Sequence, residues 1–276
     1  MATPLGNLQD ITLRAIEVLK SVQLIAAEDT RVSRRLLDHY GIGVALASVR
    51  EHNEAAASAR VIDMLRIGQS VALVSDAGTP AISDPGAVLV RRVRAAGLRV
   101  VPVPGPSAVA AAVSVAGLES GEFLFMGFLP AQAAARRREL ERVRLLACAL
   151  VLYEAPHRVR ECVDDLAQVL GGARELLIAR ELTKLFEQVH ACALSEAGTW
   201  FDADANRLRG EFVLVVGPPP APEDAGLAQA QRVLALLLAD LPLKQAVKLC
   251  AEITGVKRNL LYERALEMKS AQDDEV

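Results

Sequence analysis

Residues 70–86 read SVALVSDAGTPAISDPG, and the fold turns on how this run divides. Val71 to Val74 is a short apolar stretch bounded by polar and turn residues, the signature of a buried strand. Two glycines and two prolines follow within twelve residues, which makes 75–86 a long loop, and helical periodicity resumes over Ala87 to Ala96. A strand without polar alternation is covered on both faces, so this strand, loop and helix form a unit of a parallel sheet. The pattern recurs on either side. VQLIAA (22–27) precedes a helix over Val32 to Tyr40, ALASV (45–49) one over Ala55 to Ile67, and RVVPV (99–103) one over Ser107 to Ala116. An open, doubly wound α/β sheet is expected for residues 1–117.

GLESGE (117–122) marks a boundary. The strand-like runs beyond it are FLFMGF (123–128), CALVLY (148–153), ELLIA (175–179), EQVHACA (187–193) and EFVLVVG (211–217). Several lack an intervening helix, so residues 118–220 should form a mixed α+β domain with some antiparallel pairing. GPPPAPEDAG (217–226) is linker chemistry. Three short helical patterns broken at Pro242 and Gly255 make 221–276 a linker followed by a small helical unit, with an acidic frayed tail, SAQDDEV.

Composition narrows the function. Hydrophobic residues make up 52% and charged residues 24% of 276 positions, as in a well-buried globular chain. No run approaches the ~20 apolar residues of a membrane span and no signal pattern opens the chain, so a cytoplasmic protein is expected. Cys148, Cys162, Cys192 and Cys250 are far apart, as are His39, His52, His157 and His190, which suggests neither a metal site nor a thiol nucleophile. The formal charge of −3 excludes nucleic-acid binding through overall basicity. Two local clusters remain, RRRELERVR (136–144) and the C-terminal Lys244, Lys248, Lys257 and Arg258, each readable as a solvated helix face or as an RNA contact.

Open parallel sheets bind ligands at the carboxyl ends of their strands. Three loops sit there: TPLGN (3–7), SDAGTPAISDPG (75–86) and PVPGPSA (102–108). Ser107 reads equally as a helix cap or as part of an anion-binding helix start. Neither a Walker A sequence nor a full GxGxxG is present. A glycine-rich loop charged only by Asp76 and Asp84 suits a ligand that is cationic near its reactive atom, such as a sulfonium.

These loops, with TPLGNLQDITLRAIEVLKSVQLIAAEDTR (3–31), GFLP (127–130), YEAPHR (153–158), RELTKLFE (180–187), GEFVLVVGP (210–218) and LPLKQAVKLCAEITGVKRNLLYERAL (241–266), occur in the order seen in one family. The chain resembles the ribosomal RNA small subunit methyltransferase I family of the tetrapyrrole methylase superfamily. The resemblance implies a tetrapyrrole-methylase-like two-domain fold with S-adenosylmethionine in the cleft between domains, a homodimer, and 2'-O-methylation of a cytidine in the decoding region of 16S rRNA. It implies a cofactor site lined by Asp76, Ala77, Gly78, Thr79, Pro80, Ile82, Ser107 and Ala108, with Phe128 and Tyr153 from the second domain. A ribose hydroxyl is a poor nucleophile and benefits from a base. Candidates are Glu28, Asp29 and Glu154, with His157 and Glu181 behind them; each is also readable as a structural ion-pair partner. Arg31, Arg158, Arg180 and Lys184 accompany cleft motifs and read as RNA contacts, a track that Arg136, Arg137, Lys244 and Lys257 would extend. Competing readings are a tetrapyrrole C-methyltransferase of the same superfamily and a non-catalytic RNA-binding assembly protein.

The opening MATPLGNLQD has the grammar of a loop leaving a strand, with Asp10 as cap of a helix over Ile11 to Lys20, yet no strand precedes it. In the resembled family the TPxGN phrase follows a strand ending in Val-Ala, and Met1 stands where that Val would be. The expectation is an N-terminal sheet lacking its first strand.

Overall fold

The computed structural model describes residues 1–50, 53–220 and 225–273; His52, linker residues 221–224 and tail residues 274–276 lie outside the described residues. The chain divides into two compact units, Met1–Pro219 and Pro220–Val276.

The first unit contains two sheets. In the N-terminal one, β1 (Leu24–Ala27) lies between β2 (Leu46–Ser48) and β3 (Val71–Val74), all parallel, with Ile25 opposite Leu46 on one side and Ala72 on the other. Helices α1 (Leu13–Ser21), α2 (Thr30–His39), α3 (Glu54–Arg66) and α4 (Ala87–Ala95) alternate with these strands. Successive residues of β1 face opposite ways. Ile25 and Ala27 join Leu19 and Leu37 in one core, whereas Ala26 joins Val61, Leu89 and Val93 in another. Both faces are therefore covered, which is why LIAA carries no polar residue.

Two local expectations are corrected. Asp10 does not cap α1: it closes a 3-10 turn, Leu8–Asp10, which Asn7 caps by accepting from the Gln9 N–H at 3.1 Å. The cap of α1 is Thr12, whose Oγ1 accepts from the Ala15 N–H at 3.1 Å. RVVPV (99–103) is not a strand. The Ala2 N–H reaches Val103 O at 3.2 Å while the Met1 ammonium donates to Leu73 O at 2.9 Å, so residues 1–3 lie against both β3 and Val103. No backbone ladder extends back along 99–102, and Val100 and Val101 are left 42% and 50% exposed.

After α5 (Ala108–Ser114) comes a five-stranded sheet, β4 (Phe123–Phe128), β5 (Ala149–Glu154), β6 (Glu175–Arg180), β7 (Gln188–Ala193) and β8 (Phe212–Val216), in the order β4-β5-β8-β6-β7. Only β4 and β5 are parallel, joined by α6 (Ala133–Val143); the other pairs are antiparallel. One face packs Leu150, Leu152, Ile178 and Leu214 against α7 (Val159–Leu170) and α8 (Leu194–Asp202), through Leu166 and Phe201. Each such fully buried aliphatic side chain contributes about 1.5–3 kcal/mol. The other face, Val151, Ala179, Val213 and Val215, packs against Val109 and Ala112 of α5. That helix follows the loop 102–108 directly and so fixes the PGPSA phrase against the second sheet.

The second unit is α9 (Ala225–Asp240), α10 (Leu243–Thr254) and α11 (Arg258–Asp273) around Leu234, Ala246, Cys250 and Leu261. Gly255 ends α10 in the left-handed conformation, φ +72°, the expected role of glycine after a helix.

Candidate functional site

The loops predicted to carry chemistry converge. Thr3 and Gly78 exchange both backbone hydrogen bonds, at 2.8 and 3.0 Å, and the Thr3 hydroxyl donates to Ser75 O at 3.1 Å, so TPLGN is bolted to SDAGTP. The Thr79 hydroxyl donates to Pro106 O at 3.1 Å and ties in the third loop. Gly78 has φ +73°, and a Cβ there would press on Leu5 Cδ2 at 3.3 Å. Only glycine meets both demands at no cost.

These loops form one wall of a cavity of about 350 Å³ within the first unit, at the low end of the ~300–1,000 Å³ usual for small-ligand sites. Ala77, Gly78, Thr79, Ile82, Ser107 and Ala108 line it from the first sheet's loops, and Phe128, Tyr153 and Glu154 from the second sheet. Tyr153 makes edge contacts with Phe125 and Phe128, ring centroids 5.0 and 5.6 Å apart, which holds the aromatic wall rigid. Ser107 is the helix cap the sequence allowed, its Oγ accepting from the Ala110 N–H at 3.5 Å at the start of α5, and it also stands in the cavity wall. Asp76 and Pro80 do not line it: Asp76 Oδ1 accepts from the Asp29 N–H at 2.9 Å and braces the β1 loop from behind.

Sequence reasoning missed part of the lining. Leu5, Ala155, Pro156 and Leu182 lie inside motifs already noted without having been singled out there, and so do Phe212 and Val213, which begin β8. Asp84 and Glu211 also face the cavity; Asp84 stands in the SDPG phrase and Glu211 in GEFV, and neither spacing nor charge marks one carboxylate among many as inward.

The candidate bases separate by their partners. Asp29 is N-cap of α2, accepting from the Arg31 N–H at 2.8 Å, and pairs with the Arg31 guanidinium, whose hydrogen bonds hold its carboxyl well below the ordinary range. Glu154 is buried, paired with Arg158 at 3.3 Å and accepting from the Ala155 N–H at 2.8 Å. Glu28 is half-buried outside the lining, its carboxyl raised by burial and then by Asp76 and Asp84. Burial opposes ionisation of Glu181, but its hydrogen bonds from Lys184 and Glu211 N–H leave its carboxyl below the ordinary value. His157 is exposed and outside the lining. Asp84 is half-buried in the cavity wall, its carboxyl raised by desolvation and by Asp76 and Glu211 although the Ser75 hydroxyl offsets part of this. Burial and then Asp84 raise the Tyr153 phenol.

The basic track is shorter than the sequence suggests. Arg136 is 1% exposed, ion-paired with Asp165 at 2.5 Å, and Arg137 bonds the same carboxylate at 2.8 Å. Arg142 and Arg144 pair with Glu139 and Glu141 along α6. Within RRRELERVR, Arg136 and Arg137 are thus drawn to one buried carboxylate on α7, which needs a cation partner, whereas Arg142 and Arg144 make surface pairs. Arg180 is buried too, donating to Arg209 O at 2.6 Å and Phe186 O at 3.1 Å. Arg158 donates to Leu129 O at 2.6 Å besides holding Glu154. Lys184 is spent on Glu181 and Glu211, at 2.9 and 2.8 Å. Arg31 projects outward with its side chain 84% exposed, and Lys244 and Lys257 are exposed in the second unit.

The three-stranded parallel sheet and the mixed five-stranded sheet both contribute to this cavity, and the class of protein they belong to is the tetrapyrrole methylases. The family described as Tetrapyrrole (Corrin/Porphyrin) Methylases matches residues 2–198, and the RsmI C-terminal HTH domain matches residues 224–269. In structure the chain is similar to the uroporphyrin-III-C-methyltransferase of Thermus thermophilus, with a TM-score of 0.53 and 20% identity over 78% of this chain and 91% of that one. It is likewise similar to a cobalt precorrin-4 methyltransferase, with a TM-score of 0.58 and 16% identity over 77% and 90%. In sequence it is 53% identical over 269 residues to the ribosomal RNA small subunit methyltransferase I of Pseudomonas aeruginosa, covering 97% of this chain and 95% of that protein. The Escherichia coli O157:H7 protein of the same name is 49% identical over 267 residues, covering 97% and 93%. The chain belongs to the ribosomal RNA small subunit methyltransferase I family of tetrapyrrole methylases.

The cavity suits the cofactor such a family implies. Its small residues and left-handed Gly78 let the backbone approach a ligand closely, and its aromatic wall takes an apolar body. Among the described residues no helix is long and apolar enough to cross a membrane.

Proposed function

We propose that this protein transfers a methyl group from S-adenosylmethionine to the ribose 2'-hydroxyl of a cytidine in the decoding region of 16S rRNA. Support for the substrate is the name shared by relatives about half identical over nearly the full chain, ribosomal RNA small subunit methyltransferase I. The observation that carries the reaction class is the convergence of three glycine- and proline-rich loops with an aromatic wall on one cavity lined by carboxylates. Ala77 to Thr79, Ile82, Ser107, Ala108, Phe128 and Tyr153 would hold the cofactor, which supplies a methyl group already activated by positive sulfur. The residues around it then have to align the acceptor oxygen and exclude water. Outward-facing Arg31, with Lys244 and Lys257 on the helical unit, would bind phosphates.

The reading includes a homodimer acting in the cytoplasm, as the resemblance implies. Incubation with methyl-labelled cofactor and small ribosomal subunits tests it: label is expected in 16S rRNA at a linkage resistant to alkaline hydrolysis, the mark of a methylated ribose oxygen. Label on a base, on a tetrapyrrole or nowhere would overturn it.

A further inference from the structure

We infer that the Asp84 carboxylate is the general base of the transfer, accepting the proton of the ribose 2'-hydroxyl; this rests on the functional reading above. Of the three carboxylates that line the cavity, Asp84, Glu154 and Glu211, it is the one with no cation within ion-pair distance among the described residues. Glu154 is paired with Arg158, Glu211 with Lys184, and Asp29 with Arg31. Asp76 is turned to the Asp29 N–H. Asp84 lines the cavity, and the Ser75 hydroxyl in the same loop donates to Ala77 O at 3.2 Å.

Its backbone setting is costly. Ala81 and Ser83 adopt left-handed conformations, φ +65° and +62°, on either side of Ile82 and directly before Asp84. A residue with a Cβ rarely adopts that conformation unless its surroundings enforce it. The turn is held by the Ala81 N–H donating to Pro85 O at 3.3 Å, and Gly127 leaves room for Ser83, since a Cβ there would stand 2.9 Å from Ser83 Oγ. A strained, clamped turn that presents one unpaired carboxylate to a ligand cavity is the arrangement a base requires.

The charged and titratable groups facing Asp84 are Asp76, Glu28 and Glu211, all acidic, with the Tyr153 phenol beside them. With burial they push its carboxyl above the ordinary aspartate value, the direction that strengthens a base. In the step, the hydroxyl O–H bond breaks with its proton passing to Asp84. The oxygen pair forms the new O–C bond as the donor's C–S bond breaks with its pair left on sulfur. Asp84 then returns the proton to water.

The test compares wild type with Asp84→Asn in the full chain, measuring methyl transfer to small subunits across pH and S-adenosylmethionine affinity by calorimetry. Transfer is expected to fall ~10²–10⁴-fold with cofactor affinity unchanged, and the acid limb of the wild-type profile to disappear. Equal rates, or a matching loss of cofactor affinity, would overturn the role. If the variant does not fold, carbon NMR of the wild-type carboxyls decides: titration of Asp84 above the ordinary aspartate value of about 3.9 supports it, and titration at that value overturns it. No transfer by wild type would overturn the functional reading and this role with it, whereas transfer at equal rates by both proteins would overturn this role alone.

Discussion

Lys184 lies directly on Gly6: a Cβ added at Gly6 would overlap Lys184 Cγ. The loop at the start of the chain is thus roofed by the loop after β6, and the Asn7 N–H donates to Thr183 Oγ1 at 3.2 Å beside it. Glu181 and Thr183, both left-handed at φ +51° and +66°, are held in this roof by the Lys184 bridge to Glu181 and Glu211. Gly6→Ala should therefore cost about 1–3 kcal/mol, as overpacking does. In a Lys184→Ala background the same change should cost almost nothing. A double-mutant cycle by denaturant unfolding measures the difference.

Arg136 and Arg31 should respond oppositely to removal. Arg136→Ala leaves Asp165 buried with Arg137 as its remaining close cation, so stability should fall by about 3–5 kcal/mol while the salt dependence of RNA binding stays the same. Arg31→Ala should spare stability and weaken RNA binding, lowering the slope of log affinity against log salt by about 0.7 if one phosphate contact is lost. Filter binding across salt, with denaturant curves, separates the two.

Asp84 makes a stability prediction of unusual sign. A carboxyl raised in the folded state binds its proton more tightly there than in the unfolded chain. It therefore opposes folding once pH exceeds the folded value, and the penalty vanishes below the unfolded value of about 3.9. Asp84→Asn should raise Tm at about pH 7 and lose that gain near pH 3. Calorimetry at the two pH values checks it; a variant less stable than wild type at neutral pH would contradict the shift.

Lys244 and Lys257 are exposed in the helical unit. Charge reversal of both, Lys244→Glu with Lys257→Glu, should lower affinity for small subunits at least tenfold, on the scale of about 1.4 kcal/mol. Cofactor affinity and the unfolding midpoint should not move.

Strands and loops were legible because burial on both faces forces sequence to be continuous in character. LIAA and FVLVV are wholly buried and read as strands from composition alone. RVVPV carries the same signal but has no ladder along 99–102, and pairing is a property of neighbours that local sequence does not contain. Charge has the same defect. Arg136 and Arg31 look alike in sequence, yet Asp165, 29 positions further on, draws the first into the core. The inward turn of Asp84 depends on left-handed Ala81 and Ser83, residues whose type gives no hint of that conformation.

The central claim is tested most directly by mass mapping of 16S rRNA from a strain lacking this gene and from the same strain carrying it. The account predicts that one decoding-region cytidine loses a methyl group from its ribose on deletion and regains it on complementation. Persistence of that ribose methyl in the deletion strain would contradict it.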